Sequence, residues 1–313
     1  MPRKRKGGQK AGHRGRNAEP GHGVELEKFS RSDLRTWQRN AANIERYHVQ
    51  LHYHLAALRA LIYGQLCEAL SNAGAAELSL EGWVRIIDYK YSLYPLSATG
   101  SLISGGRFNI GRDLDPLRFP VFAAVYLAEN FDTAYEERFG TRVSSRAKIQ
   151  GHEFALRQPG SFTSVNVSGQ VLNLFDLRVT RHLSGFTKLV GGFDVPDELE
   201  RLARSLGIQG PLIAKSATKI RNLLLAGDWR LYPSQYEIPS NPQVFGRLLL
   251  DAGFDGVIYA STKGPGHCIA LFPDNFVGSE SFVEVTDAGP PYAGSLRLDA
   301  STWRDIASPP DRG

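Results

Sequence analysis

The chain has 313 residues, of which 42% are hydrophobic, 22% charged and 10% aromatic, enough apolar material to bury a core of ordinary size. No stretch approaches the roughly 18 uninterrupted apolar residues of a membrane-spanning helix. The start, MPRKRKGGQK, runs on into polar residues where a signal peptide carries its apolar region, so membrane insertion and ordinary secretion are not expected and a cytoplasmic setting is. The 37 Lys and Arg outnumber the 32 Asp and Glu, but the first 23 residues hold seven basic residues and one acid, Glu19. The rest of the chain is therefore nearly neutral and is not expected to coat nucleic acid.

Residues 1–24 are rich in Gly, Lys and Arg and read as a disordered basic arm. Such an arm can act as a localisation signal, or residues 1–23 can touch an acidic partner or a nucleic acid. Residues 25–80 are expected as a helical extension. From Leu34 through Trp37, Ile44, Leu51, Leu58 and Leu66 to Leu70, apolar residues recur every three or four positions, with a break expected near Gly64 and a stop at Gly74. Its apolar stripe must pack on the body, on a second copy in a homodimer, or on another partner. His48 and His52 share a face there and His54 is close by, but no carboxylate joins them at ligand spacing, so packing is expected rather than a metal site.

Beyond Trp83 the chain turns to short apolar runs bounded by Gly, Pro, Asn or Asp. Strands are predicted at 82–87, 121–127, 152–158, 170–177, 256–261 and 267–273. Helices are predicted at 131–139, 196–206, 216–226 and 241–252, the last with Asn241 as cap, Pro242 in its first turn and Gly253 just past its end. Strands and helices mix without a βαβ rhythm or an internal repeat, so the fold class is α+β. Residues 281–313 read as a loop-rich C-terminal extension. Two cysteines, Cys67 and Cys268, lie far apart with no CxxC or Cys/His spacing, which argues against a disulfide scaffold or a zinc ribbon.

The signatures of P-loop NTPases, Rossmann dehydrogenases, GxSxG hydrolases and HExxH metalloenzymes are missing. What remains is the segment GSLISGGRFNIGRDLDPLRFPVFAAVYLAENFDTAYEE, residues 100–137. Gly105 and Gly106 let backbone approach a ligand closely, and Arg107 behind them presents a rigid fork for phosphate or carboxylate. Tyr126 ends a predicted strand, Glu137 follows on a helix that Asn130 or Asp132 can cap, and far downstream GVIYAS ends in the hydroxyl of Ser261.

These pieces together resemble the RES-domain family, toxins of bacterial toxin-antitoxin pairs named for Arg, Glu and Ser residues. The resemblance rests on Arg85 in WVRII, the GGRFN block with Arg107, Tyr126 in VYLAE, Ala134 and Glu137 in TAYEE, and Ser261 in GVIYAS followed by HCIALFP; order and approximate spacing agree from residue 82 to 274. It implies an ADP-ribosyltransferase-like mixed β core over residues 81–280, an enzyme consuming NAD+ without a metal, and a cognate antitoxin, a small helix-turn-helix protein. It also implies site residues. Glu137, Arg107 and Ser261 are the catalytic set, and Arg85, Tyr126, Gly106 and Asn109 bind the dinucleotide. Glu137 would stabilise the cation formed when the nicotinamide bond breaks, Arg85 and Arg107 would hold the pyrophosphate or the adenosine-side ribose, Tyr126 would stack on nicotinamide, and Ser261 would meet the carboxamide or ribose. Glu136 is the rival carboxylate and Glu129 a weaker one, while His267 is expected to be structural.

The sequence departs from the family in a lengthened stretch between Arg107 and Tyr126 and in residues 178–250, which look like a helical insertion. A longer loop beside the site can change which acceptor enters. Hydrolysis or phosphorolysis of NAD+ is the first expectation, ADP-ribosyl transfer to a protein or nucleic acid the second, and a nucleic-acid-binding protein acting through the basic arm the third.

Overall fold

The computed structural model describes residues 31–140, 161–208, 213–289 and 291–307. The basic arm and the strand expected at 152–158 lie outside the described residues. The chain divides into the units Met1–Ala42 and Asn43–Gly313; among the described residues the first holds the opening turns of one helix.

Helix α1 spans Arg31–Leu61 and α2 spans Tyr63–Ser71. The break falls at Ile62 rather than Gly64, because the Ile62 backbone leaves the helical basin at φ −124° and ψ 24°. Leu66 and Leu70 of α2 are fully buried. Gly74 takes φ +89°, a conformation cheap only for glycine, and strand β1 (Ala76–Asp88) begins at once. The stop expected at Gly74 thus holds, but the extension expected over residues 25–80 ends in strand from 76, where exposed Glu77 and Ser79 alternate with the more buried Leu78 and Leu80.

Strands β2 (Val125–Ala128), β3 (Phe162–Asp176), β4 (Gly256–Ala260), β5 (His267–Leu271), β6 (Phe282–Val285) and β7 (Arg297–Leu298) complete one sheet, ordered β1-β2-β5-β4-β3-β6-β7. Because β1 also pairs with β3, the first five strands close into a barrel-like ring, with β6 and β7 continuing outward from β3. All pairings are antiparallel except β3 with β4, which is parallel. A parallel pair needs a long crossover, and residues 177–255 supply it as α5 (Ser184–Val190), α6 (Asp197–Ser205), α7 (Ala217–Leu224), α8 (Leu231–Tyr236) and α9 (Asn241–Asp251). Short α3 (Thr99–Ser104), α4 (Phe131–Phe139) and α10 (Trp303–Ala307) complete the helices of the described residues. The fold is α+β.

Alternate strand residues sort into two cores. Val84, Ile86, Val257, Tyr259 and Ala270 pack with helix residues such as Leu66, Phe186, Phe245 and Leu249, while Trp83, Val125, Leu127, Val167, Ile258 and Ile269 pack with Leu96, Phe276 and Ile306. Within residues 281–313, expected as a loop-rich extension, Val283 and Leu298, both fully buried, carry two short strands into the sheet, and two- or four-residue strands are too short to leave a sequence period. The cap of α9 is Ser240 rather than Asn241. Its side chain and that of Gln243 form a reciprocal capping box.

Candidate functional site

The site begins in the turn after α3. Gly106 N donates to Asn109 O at 3.1 Å, closing a tight loop against β2. A Cβ at Gly106 would stand 2.3 Å from the Tyr126 hydroxyl, so only glycine lets that ring lie on the backbone. The Tyr126 hydroxyl accepts from Phe108 N and donates to Asn109 Oδ1, each at 2.9 Å. Burial pushes its pKa well above the ordinary tyrosine value. The hydroxyl is thereby engaged within the fold, and the half-buried ring is what Tyr126 offers a ligand.

Asn109, expected at the dinucleotide, is fully buried. Its Nδ2 donates to Ser101 O at 2.8 Å and Phe122 O at 3.0 Å, and Gln243 Nε2 donates to its carbonyl at 3.2 Å. With its amide engaged on both ends, Asn109 shapes the turn from beneath.

Glu137 rides on α4, whose first turn is capped by Asn130 Oδ1 accepting from Thr133 N at 2.9 Å. Its Oε1 accepts from Ser261 Oγ at 2.6 Å and from Thr262 N at 2.8 Å. Ser261 Oγ in turn accepts from Lys263 N at 3.1 Å and Gly264 N at 2.8 Å, so the turn after β4 is folded around one hydroxyl that also fixes the carboxylate. Among the described residues, Glu137 Oε2 takes no hydrogen bond. Glu136 lies beside Gly264 instead, and Glu129 accepts from both His267 N and His267 Nδ1. Neither rival meets Ser261.

Arg107 is 6% exposed. Nη1 donates to Leu224 O at 3.3 Å and Ala226 O at 2.8 Å, and Nη2 to Thr262 Oγ1 at 3.1 Å. Three of its five N–H donors thus bind protein, tying the GGRFN turn to the α7 end and to the turn that holds Glu137. Its guanidinium also stands 5.7 Å from the Trp229 ring centre.

Arg85 is placed elsewhere. It lies on the face of β1 opposite Val84 and Ile86, and Nη2 donates to Ser97 O at 2.6 Å. Nε and Nη1 are buried with no hydrogen-bond partner among the described residues, and burial together with nearby Arg138 draws its pKa down to about 10. No contact among the described residues joins it to Glu137, Arg107 or Ser261.

Sequence reasoning missed four participants. Thr262, next to Ser261, was within reach of the same motif; Gln243, Trp229 and Arg230 sit in the helical crossover, where no spacing marked them. Arg230 follows Trp229 with its guanidinium 4.4 Å from that ring centre. The three histidines of α1 go to separate places: His48 stacks on Tyr236 at 4.6 Å, His52 meets Phe119 edge-on at 5.8 Å, and His54 Nε2 bonds Asp194 O at 2.8 Å. Among the described residues, no group of three or more His, Cys, Asp or Glu side chains could hold a metal ion, and no helix is long and apolar enough to cross a membrane.

Comparison with known proteins follows the same residues. No curated protein matches the chain. One solved structure similar to it is the crystal structure of the M. tuberculosis MbcT-MbcA toxin-antitoxin complex, at 14% identity and a TM-score of 0.37, covering 77% of this chain and 96% of that one. The family model for the RES domain matches residues 83–290, a span that opens at β1, takes in the GGRFN turn, Tyr126, Glu137 and Ser261, and covers well over half the chain. The protein belongs to the RES-domain family.

Proposed function

We propose that this protein is a toxin that consumes NAD+ by breaking the bond between nicotinamide and ribose. The observation that carries this reading is Glu137, a carboxylate fixed at Oε1 by a hydroxyl and a backbone N–H while Oε2 takes no hydrogen bond from the described residues.

When the C–N bond breaks, the bonding pair leaves with neutral nicotinamide and the ribose becomes oxocarbenium-like, as in glycoside cleavage. A carboxylate already held in place stabilises that charge with no reorganisation at the moment of reaction. Glu137 Oε2 has the open acceptor capacity for this role or for holding a ribose hydroxyl, and the Tyr126 ring face suits a flat aromatic base. Water adding at C1″ gives ADP-ribose and releases one proton. Inorganic phosphate adding there gives ADP-ribose 1″-phosphate. A protein able to drain NAD+ needs a neutralising partner, and a cognate antitoxin covering this cleft is part of the proposal.

The experiment follows NAD+ over time with purified protein, with and without phosphate, beside Glu137→Gln. NAD+ should fall only with Glu137 intact, and the product should report hydrolysis or phosphorolysis. Label from NAD+ appearing on a macromolecule would replace this reading by ADP-ribosyl transfer, and unchanged NAD+ without any labelled acceptor would overturn it.

A further inference from the structure

Arg107 was expected to present its fork to the substrate, yet most of that fork is turned toward the protein's own carbonyls and Thr262. Across the same Trp229 ring, Arg230 is its opposite. It lies on the Gly227–Arg230 turn between α7 and α8, is exposed, and its side chain makes no hydrogen bond or ion pair among the described residues, though its carbonyl accepts from Ser234 Oγ. The Arg230 guanidinium stacks on the buried Trp229 indole at 4.4 Å, which Arg107 also approaches at 5.7 Å. Two guanidinium groups therefore converge on one indole, and contacts run from Arg107 through Thr262 to Glu137.

We propose that Arg230 is the substrate-facing cation of the site, binding a phosphoryl oxyanion, while Arg107 holds the site together. Like charges are not gathered without cause. Desolvation, and after it the charge of Arg107, draws the Arg230 pKa down, with Tyr126, Asp113 and Glu137 opposing. An anion between the two guanidiniums removes that repulsion. The planar fork of Arg230, already oriented by stacking on Trp229, suits two oxygens of one phosphate.

The oxyanion has two possible sources: the pyrophosphate of the dinucleotide or a free phosphate acceptor. The choice of Arg230 over Arg107 rests on the NAD+ reading only for the first. The test titrates ADP-ribose and inorganic phosphate separately into wild type, Arg230→Gln and Arg230→Lys by calorimetry. Arg230→Gln should weaken one of them roughly tenfold or more, with Arg230→Lys intermediate because charge remains but the fork is lost. Loss confined to ADP-ribose identifies the pyrophosphate, and loss confined to phosphate identifies an acceptor subsite. Both variants should melt as wild type does, since the Arg230 side chain makes no hydrogen bond that folding needs. Equal affinities in wild type and Arg230→Gln, or a wild type binding neither probe, would overturn the proposal. A wild type that binds ADP-ribose through Arg230 but leaves NAD+ intact would instead sink the NAD+-consuming function and keep the subsite.

Discussion

Glu137 is held at one oxygen by two donors of different kinds, and the difference predicts how much each contributes. Ser261 supplies a hydroxyl that also organises the turn through Lys263 N and Gly264 N, whereas Thr262 supplies a backbone N–H that no side-chain change removes. Ser261→Ala therefore leaves the carboxylate with one donor, so kcat should fall about tenfold while KM holds. Ser261→Thr, which keeps the hydroxyl, should restore most of the loss. Steady-state kinetics on both variants decide the matter: a drop in stability with unchanged kcat would assign Ser261 to the turn alone. At this scale the sequence was most readable for short-range chemistry. A hydroxyl ending a strand and a carboxylate on a capped helix could be named, and their contact is 2.6 Å long. Asn109 and Arg85 were harder, because a polar residue beside a glycine turn or within a strand looks the same whether it faces a ligand or the interior. Only burial and partners separate the two.

The elements show where periodicity succeeds and where it fails. Helix α4 has the predicted bounds, and α6, α7 and α9 lie within a residue or two of theirs, because each carries a cap or an amphipathic stripe. The short α3, α5 and α8 and the strands β6 and β7 leave too few turns or residues for a period to form. Helix α1 shows what its histidines do: each secures it to a different segment, through Tyr236, Phe119 and Asp194. Burial, reinforced by Arg59, holds the His52 pKa at about 4, and burial also lowers that of His48 against Asp228. An unfolded chain protonates such an imidazole near pH 6.5, so between about 6.5 and 4 the unfolded state binds more protons. The stability held by neutral His52 is complete above pH 6.5 and is lost as the pH falls toward 4, by on the order of 3 kcal/mol. His52→Leu should flatten this part of the profile in thermal melts recorded from pH 7 to pH 4. An unchanged slope would show that His52 remains neutral in neither state more than the other.

For the whole molecule, the decisive feature is that one buried guanidinium joins three distant stretches of chain. The GGRFN turn lies more than a hundred residues before both the α7 end and the turn after β4, and Arg107 hydrogen-bonds across to both. The parallel pairing of β3 with β4 forces the helical crossover, and the crossover returns Leu224, Ala226, Trp229 and Arg230 to the site. Sequence alone could flag Arg107 through its glycines but could not say which carbonyls it would meet, because that is decided by topology. Glycine tells the same story at Gly246 of α9, where a Cβ would fall 2.0 Å from Phe108 O, so the helix seats directly on the turn.

Arg107→Lys separates the two arginines experimentally. Lysine keeps the charge but is a compact donor on a flexible stem, and it cannot reach Leu224 O, Ala226 O and Thr262 Oγ1 together from one planar group. Carbonyls left without their donor in a buried site cost about 1–3 kcal/mol each, so chemical denaturation should register a loss of at least about 2 kcal/mol. Because Thr262 also positions Glu137, kcat should fall in parallel with stability. Arg230 makes none of these links, so its substitution should change ligand affinity and leave the unfolding midpoint in place. If Arg107→Lys instead weakened binding while the protein stayed as stable as wild type, Arg107 would be the substrate-facing group and the division of labour between the two arginines would be reversed.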